Sequence, residues 1–259
     1  MTEPLPGNDG QDAPTGLAPC RELNVTAPLR WLRLGWQDFR RAPALSLLFG
    51  GIIALISAAV TWLGWQLGRL ALLATLLSGF VFVAPLLAVG LYCVSRALQD
   101  GRRPRLSDSF VLARRVVGQA GVFALAQLVI LLLWVRAGMM IDVFFPAQPG
   151  NLLALAEFLL IGSAVGSVFA ALTFASAALS LPMIADRDVD MITACLSSIR
   201  AVLSNKPAML LWAALIILLT ALGFASLFLG LVVTMPWLAY ATWHGYRETL
   251  DGSAWPRLD

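Results

Sequence analysis

The residues with the most chemistry to offer lie near the end of the chain, where Trp237, Tyr240, His244 and Arg247 recur at i, i+3, i+7 and i+10. On an α-helix that spacing puts all four on one face. His244 is the one histidine, and Arg96 holds the place of Arg247 in an earlier copy of the same segment. An arginine where a helix leaves a membrane can pair with an anionic lipid phosphate. Arg96, Trp237, Tyr240, His244 and Arg247 are therefore candidates for a lipid or partner contact. The plainer reading, which the pattern favours, is a belt of interfacial aromatics with a snorkelling arginine.

Other constellations carry less. A Ser/His/Asp centre is not expected from a single histidine, and a Ser–Lys centre has only Lys206 to draw on. Asp186, Asp188 and Asp190 resemble the start of a calcium loop, but Met191 and Ser197 stand where that loop needs Gly and Glu. They read better as a solvated acidic cap for the next helix. Cys20, Cys93 and Cys195 are odd in number and widely spaced, against both a disulfide framework and a thiolate metal site. No Gly-rich phosphate loop is present. The expectation is a protein that is not an enzyme and has no cofactor or metal.

The elements that must position these residues are membrane helices. Of 259 residues, 59% are apolar and 13% charged, and the mean hydropathy is +0.80, against roughly 45–50% and about 25% in soluble domains. The net charge of +3 is too small and too dispersed for nucleic acid. Residues 1–27 are polar, rich in Pro, Gly and Asp, and read as a disordered cytoplasmic tail, not a signal peptide. Residues 28–259 read as one six-span domain. In residues 28–41, Leu29, Leu32, Trp36 and Phe39 mark an apolar face, and Arg30, Arg33, Arg40 and Arg41 fill the remainder. That is an interfacial amphipathic helix.

Six spans follow, at 43–67, 70–96, 117–135, 155–181, 204–222 and 224–246. A break is expected at 64–69, a long loop at 136–151 and a tight turn at Gly223. Sixteen of the eighteen Lys and Arg fall on one side, with only Arg69 and Arg136 opposite. Basic loops stay cytoplasmic, so both termini are placed there. Glu157 and Arg136 are the remaining charges near a span, and the scarcity of mid-span charge argues against a proton-coupled pump.

The chain also repeats itself. Residues 79–101 recur as 230–252, with Pro85/Pro236, Arg96/Arg247, Asp100/Asp251 and Gly101/Gly252 among the identities. Pro43-Ala44 recurs as Pro207-Ala208. The apolar and Arg positions Leu106, Phe110, Arg114 and Val117 parallel Ile192, Leu196, Arg200 and Leu203. Pro182 matches the helix-borne Pro85 and Pro236. The expected fold is thus an all-α membrane protein of three pseudo-repeated hairpins, each preceded by an amphipathic cytoplasmic helix. Three Pro-kinked return helices either pack as a bent bundle, the favoured reading, or surround a cavity. Gly162, Gly166 and Ala170, four apart, suit close helix packing within the chain or between copies.

The segments GWQDFRRAP (35–43), APLLAVGLY (84–92), LPMIADRDVD (181–190) and MPWLAYATWHGYR (235–247) resemble a bacterial family of uncharacterised predicted integral membrane proteins, domain of unknown function 2189. The resemblance implies a bacterial inner-membrane protein and brings no established activity. Some of that family are labelled cytochrome c oxidase subunits. A haem–copper core needs several imidazoles, and His244 alone does not supply them. The function expected is a structural or membrane-complex component in contact with anionic headgroups, with a membrane-protein partner or a second copy. The alternative is a transporter or channel for a neutral or lipidic small molecule.

Overall fold

Helices account for most of the computed structural model, which describes residues 16–67, 87–145 and 151–258. In chain order they are α1 (Ala27–Arg41), α2 (Pro43–Leu67), α3 (residues 87–99), α4 (Leu106–Phe144), α5 (Leu152–Ala177), α6 (Ser180–Asp186), α7 (Met191–Ser204), α8 (Lys206–Ala225) and α9 (Leu231–Thr249). Two isolated antiparallel bridges, Cys20 with Leu250 and Arg187 with Arg257, are the only β pairing among the described residues.

Proline sets where several of these helices start. It is tolerated in a first turn, where its missing N–H has no partner to lose, and it biases the preceding residue away from helical geometry. Ala42, just before Pro43, accordingly sits at φ −130° and ψ 56° and separates α1 from α2. Pro207 in the first turn of α8 follows the matching break at Asn205. The middle amphipathic segment has no such proline. There the structure departs from the expected ramp and span, because residues 106–117 and 117–135 belong to one continuous helix, α4, of 39 residues. α4 also runs on through residues 136–144, where the long loop at 136–151 was expected to begin; residues 146–150 lie outside those described.

Four helical stretches are long and apolar enough to cross a bilayer, namely Pro43–Leu63, Leu106–Phe144, Leu152–Asp186 and Lys206–Ala225. At about 1.5 Å per residue, 20 residues match a hydrocarbon core of roughly 30 Å. Most of the expected second span, including Pro85, lies outside the described residues, and only its end appears, in α3. Pro182 lies within α6, after a break at Ala178 and Leu179. α9, the expected sixth span, is not among the four, since His244, Arg247 and Glu248 make its last turns polar.

Two turn expectations change. α2 passes through residue 64 to Leu67 without a break. Gly223 lies inside α8 and does not form the turn to α9; the chain reverses at residues 226–230, with Leu227 (φ 53°) and Phe228 (φ 68°) in the left-handed region. Such non-glycine geometry costs roughly 1–3 kcal/mol per residue. Ser226 helps to hold it, its Oγ donating to the Gly223 carbonyl and accepting from Gly230 N, both at 2.8 Å. Gly223 serves close approach, because a Cβ there would lie 2.4 Å from Leu231 Cδ2.

α9 is the hub of the molecule. α1 crosses it at Gly35, where a Cβ would lie 2.7 Å from Ala241 N, and Trp31 lies flat against Gly245. α2 meets it at Gly50, whose Cβ would come within 2.0 Å of the Val232 carbonyl oxygen. Val232 is four residues before Pro236, so its carbonyl is the one the proline leaves without a helical donor; Gly50 Cα–H lies against it instead. Trp31, Trp212, Tyr240, Trp243 and Tyr246 are each less than 2% exposed. Trp31 meets Trp212 edge-on at 5.6 Å, worth about 0.5–1.5 kcal/mol beyond burial.

The buried face of α1 is Trp31, Gly35, Asp38 and Phe39, turned toward α9, while Leu29 and Trp36 remain exposed. The tail reading does not extend to residues 16–26. Ala18 is fully buried, its N–H donating to Ser197 Oγ (3.0 Å), and Leu23 N donates to Asn205 Oδ1 (2.8 Å). Backbone bonds join Arg21 N to Thr249 O and Asp251 N to Pro19 O, each at 2.9 Å. Residues 1–15 lie outside those described. On the opposite flank, the spanning window of α5 has no residue buried within the chain. Gly166 faces the Trp134 indole of α4, whereas Gly162 has open space beside it.

Candidate functional site

The polar end of α9 ties together four other parts of the chain. His244 Nε2 lies 2.8 Å from Asp38 Oδ2 of α1, and its Nδ1 lies 3.1 Å from Gln99 Nε2 of α3. Trp243 Nε1 donates to Gln99 Oε1 at 2.9 Å. An indole nitrogen is a donor only, so Gln99 must accept there and donate with its amide nitrogen to His244 Nδ1. Nε2 then carries the proton and donates to Asp38. The tautomer of His244 is thus set by Trp243, two hydrogen bonds away. Ser95 Oγ donates to the same Asp38 oxygen. Ser95, Asp38 and His244 have the residue types of a catalytic triad in the wrong order, since a triad serine must bond the imidazole.

Asp186 is the second centre. It is completely buried, and its Oδ2 accepts from Tyr246 Oη (3.0 Å), Arg247 Nη1 (3.1 Å) and Arg187 Nε (3.1 Å). Its Oδ1 has no hydrogen bond, with Arg257 Nε at 3.8 Å and Arg96 Nε at 4.0 Å. Arg96 is itself 7% exposed and donates to the Ala185 and Leu258 carbonyls. Leu258 N returns a bond to Asp186 O (3.0 Å), so the segment after α9 folds back over this centre.

Beside it opens a cleft of about 470 Å³ lined by Arg96, Arg102, Arg115 and Arg257 with Asp100 and Asp108. Asp100 accepts from Arg257 Nη2 at 2.8 Å on both oxygens and from Arg102 Nη2 at 2.9 Å. Partial burial pushes the Asp100 carboxyl up, but the two guanidinium partners outweigh that and hold it below its ordinary value.

The five residues singled out from the sequence do not form one lipid-facing stripe. Trp237, half-buried, donates to the Leu32 carbonyl at 2.7 Å and meets Trp36 at 5.1 Å. Tyr240 is fully buried and bonds Ser46 Oγ at 2.9 Å. His244 joins α1 to α3, while Arg96 and Arg247 approach the same carboxylate. Arg247 alone of the five has a largely exposed side chain, at 44%. Of the three aspartates read as a solvated cap, only Asp190 caps α7, accepting from Thr193 N at 2.9 Å; Asp186 belongs to the buried centre.

The sequence reading missed Asp38, Ser95 and Gln99, and placed Asp186 in a solvated cap. One signal was available: Gly35 and Asp38 share a helical face, and a small residue beside an acid on a helix otherwise rich in Arg marks a contact with another helix. Gln127 was also passed over. It lies mid-way along α4, donates to Ser176 Oγ of α5 at 3.1 Å, and leaves its buried Oε1 without a partner.

No curated protein and no solved structure matches the chain. A family model described as "Predicted integral membrane protein (DUF2189)" matches residues 72–186, a stretch that ends at the Asp186 centre and takes in Arg96, Gln99 and the cleft-lining turns of α4. Over that stretch, with apolar helices long enough to cross a bilayer on either side of it, the chain is similar to this family of predicted integral membrane proteins.

Proposed function

We propose that the chain is a non-enzymatic component of a bacterial inner membrane, acting as a structural element or as a subunit of a membrane complex. In this reading it has six spans in three hairpins, with both termini cytoplasmic. The amphipathic helices α1 and α7 and the start of α4 rest on anionic headgroups. The observation that carries the reading is the contrast between the two ends of the charge inventory. The polar side chains of the hub bond one another, as Asp38, His244, Gln99 and Trp243 do, and the spanning window of α5 leaves every residue for lipid, a partner or a second copy to cover.

Reporter fusions after residue 259 and within residues 146–150 test the orientation, with cytoplasmic signal expected from the first and none from the second. The reverse pattern rejects it. Exchanging Arg30, Arg33, Arg40 and Arg41 for Gln is expected to weaken membrane-surface contact or disturb the topology. A partner retained in stoichiometric amount after extraction in native lipid supports the subunit role.

The second reading, a transporter or channel for a neutral or lipidic molecule, draws on one feature. A largely apolar groove of about 470 Å³ between α4 and α5 holds Gln127, whose Oε1 has no hydrogen-bond donor. Uptake of such a molecule into protein-loaded vesicles, absent from empty ones, favours it.

A further inference from the structure

We infer that the arginine cleft beside Asp186 is a binding site for a phosphate-bearing anion. The inference deepens the headgroup contact proposed above, and rests on it only for the source of the phosphate. Four arginines, Arg96, Arg102, Arg115 and Arg257, line the cleft with two aspartates, Asp100 and Asp108. The described lining therefore carries an excess of two positive charges. The third nearby carboxylate, Asp186, is fully buried behind Arg96; its Oδ2 receives Tyr246, Arg187 and Arg247, and its Oδ1 lies 3.8 Å from Arg257 Nε and 4.0 Å from Arg96 Nε, so part of that positive charge is met from behind the wall.

Donor geometry points the same way. A guanidinium offers five N–H donors in a planar fork suited to phosphate. Arg102, 60% exposed, uses one of them on Asp100. Arg96 is fixed by the Ala185 and Leu258 carbonyls, so its charge is held in the wall before any ligand arrives. The first turns of α4 line the cleft through Asp108, Val111 and Arg115, and Arg105, the residue before α4, makes no side-chain cap to them. The positive end of a long helix dipole thus adds to the same field. The volume of about 470 Å³ falls in the range of roughly 300–1,000 Å³ typical of small-molecule sites, enough for a phosphate and the group esterified to it. α4, at 39 residues, is about 58 Å long, far more than the hydrocarbon core, so its first turns reach headgroup depth. A phospholipid headgroup and a soluble phosphate present the same oxygens to the cleft.

The test uses the full chain in a non-ionic detergent and measures binding by calorimetry. The probes are dihexanoyl phosphatidic acid and inorganic phosphate, with R136Q as a control, 21 residues further along α4 than Arg115 and so roughly 30 Å away. Saturable binding of the short-chain lipid is expected, at least about ten-fold weaker in R102Q/R115Q and unchanged in R136Q. Competition by inorganic phosphate identifies the bare phosphate as sufficient; lipid binding without such competition assigns the site to a headgroup. R102Q alone, at an exposed position, serves if the double variant does not fold, and a weakening of about three-fold or more is expected. Absence of saturable binding by both probes, or undiminished binding in the folded variants, overturns the inference.

Discussion

The ends of α3 and α9 carry the same residues, yet the structure treats them differently. Arg96 and Arg247 correspond in the repeat, as do Asp100 with Asp251 and Gly101 with Gly252. Both arginines approach Asp186. Arg96, however, is covered by the returning segment at Leu258, whereas Arg247 is 44% exposed. Gly101 has φ +69° and closes α3 with bonds from Arg102 N to Ala97 O (2.9 Å) and from Gly101 N to Leu98 O (3.2 Å), the Schellman arrangement. Gly252 does not share that conformation. Its value lies in space, because a Cβ there would sit 2.9 Å from Tyr246 Oη. A repeat in sequence thus fixes helix ends and residue types, while the segment that follows each copy decides what those residues do.

The largest expected effect is at the point the two copies share. Asp186→Ala removes the one buried carboxylate that Arg187, Arg247 and Arg96 surround. Breaking a buried ionic group from one side typically costs about 3–5 kcal/mol. Thermal unfolding of the purified variant in detergent is expected to show a loss of that order; a shift near zero would mean that the arginines find water or other acceptors. Next, the two arginines should separate. Arg96→Gln removes charge-assisted bonds to two carbonyls in a buried setting, a loss of about 2 kcal/mol. Arg247→Gln, half in solvent, should lose less than about 1 kcal/mol. Equal losses from the same unfolding measurement would show that the cover over Arg96 does not matter.

The glycine pair sharpens the contrast further. Gly101→Ala should cost about 1–2 kcal/mol for a left-handed backbone, and Gly101→Asn should recover part of it, since Asn tolerates that region. Gly252→Ala should cost about 1 kcal/mol by displacing Tyr246 from Asp186, and Gly252→Asn should be worse. Thermal midpoints of the four variants check both orders; recovery by Asn at both positions would refute the distinction.

Apolar spans and helix starts were legible because length, hydropathy and proline act locally. Pro43 opens the first span as expected, and the fifth begins at Lys206, one residue before Pro207, and not at residue 204. The absence of an equivalent proline explains why α4 is unbroken. Burial of polar groups was not legible, since it depends on residues far apart in sequence. Asp186 reads as one of three alternating aspartates, and nothing local says that residues 255–258 will seal it. On α1, Phe39 of the expected apolar stripe is buried and Leu32 half-buried, while Leu29 and Trp36 are exposed. The small and acidic Gly35 and Asp38 also turn inward, because α9 supplies His244 and a close backbone, and hydrophobicity alone does not reveal a face that packs through glycine.

The smallest expected effect concerns the acid response of the two aspartates that correspond in the repeat. Asp100 and Asp251 both have carboxyls held below their ordinary value, for different reasons. In Asp100 burial opposes the shift, and Arg257 and Arg102 override it. In Asp251 the Ser253 side chain leads and its backbone N–H follows, with Arg21 adding less, at an exposed site. A carboxyl depressed in the folded state contributes stability above its unfolded pKa of about 3.9 and loses it as pH falls through the folded value. The deficit of Asp100→Asn relative to the parent should therefore be full near neutral pH and shrink as pH drops below about 4. Added salt should reduce that deficit, because Arg102 and Arg257 are part-exposed ion partners. Asp251→Asn should show a smaller deficit with little salt dependence, since its leading interactions are with the uncharged side chain and backbone N–H of Ser253. A salt response of equal size at both positions would remove the distinction between the two copies at this last point.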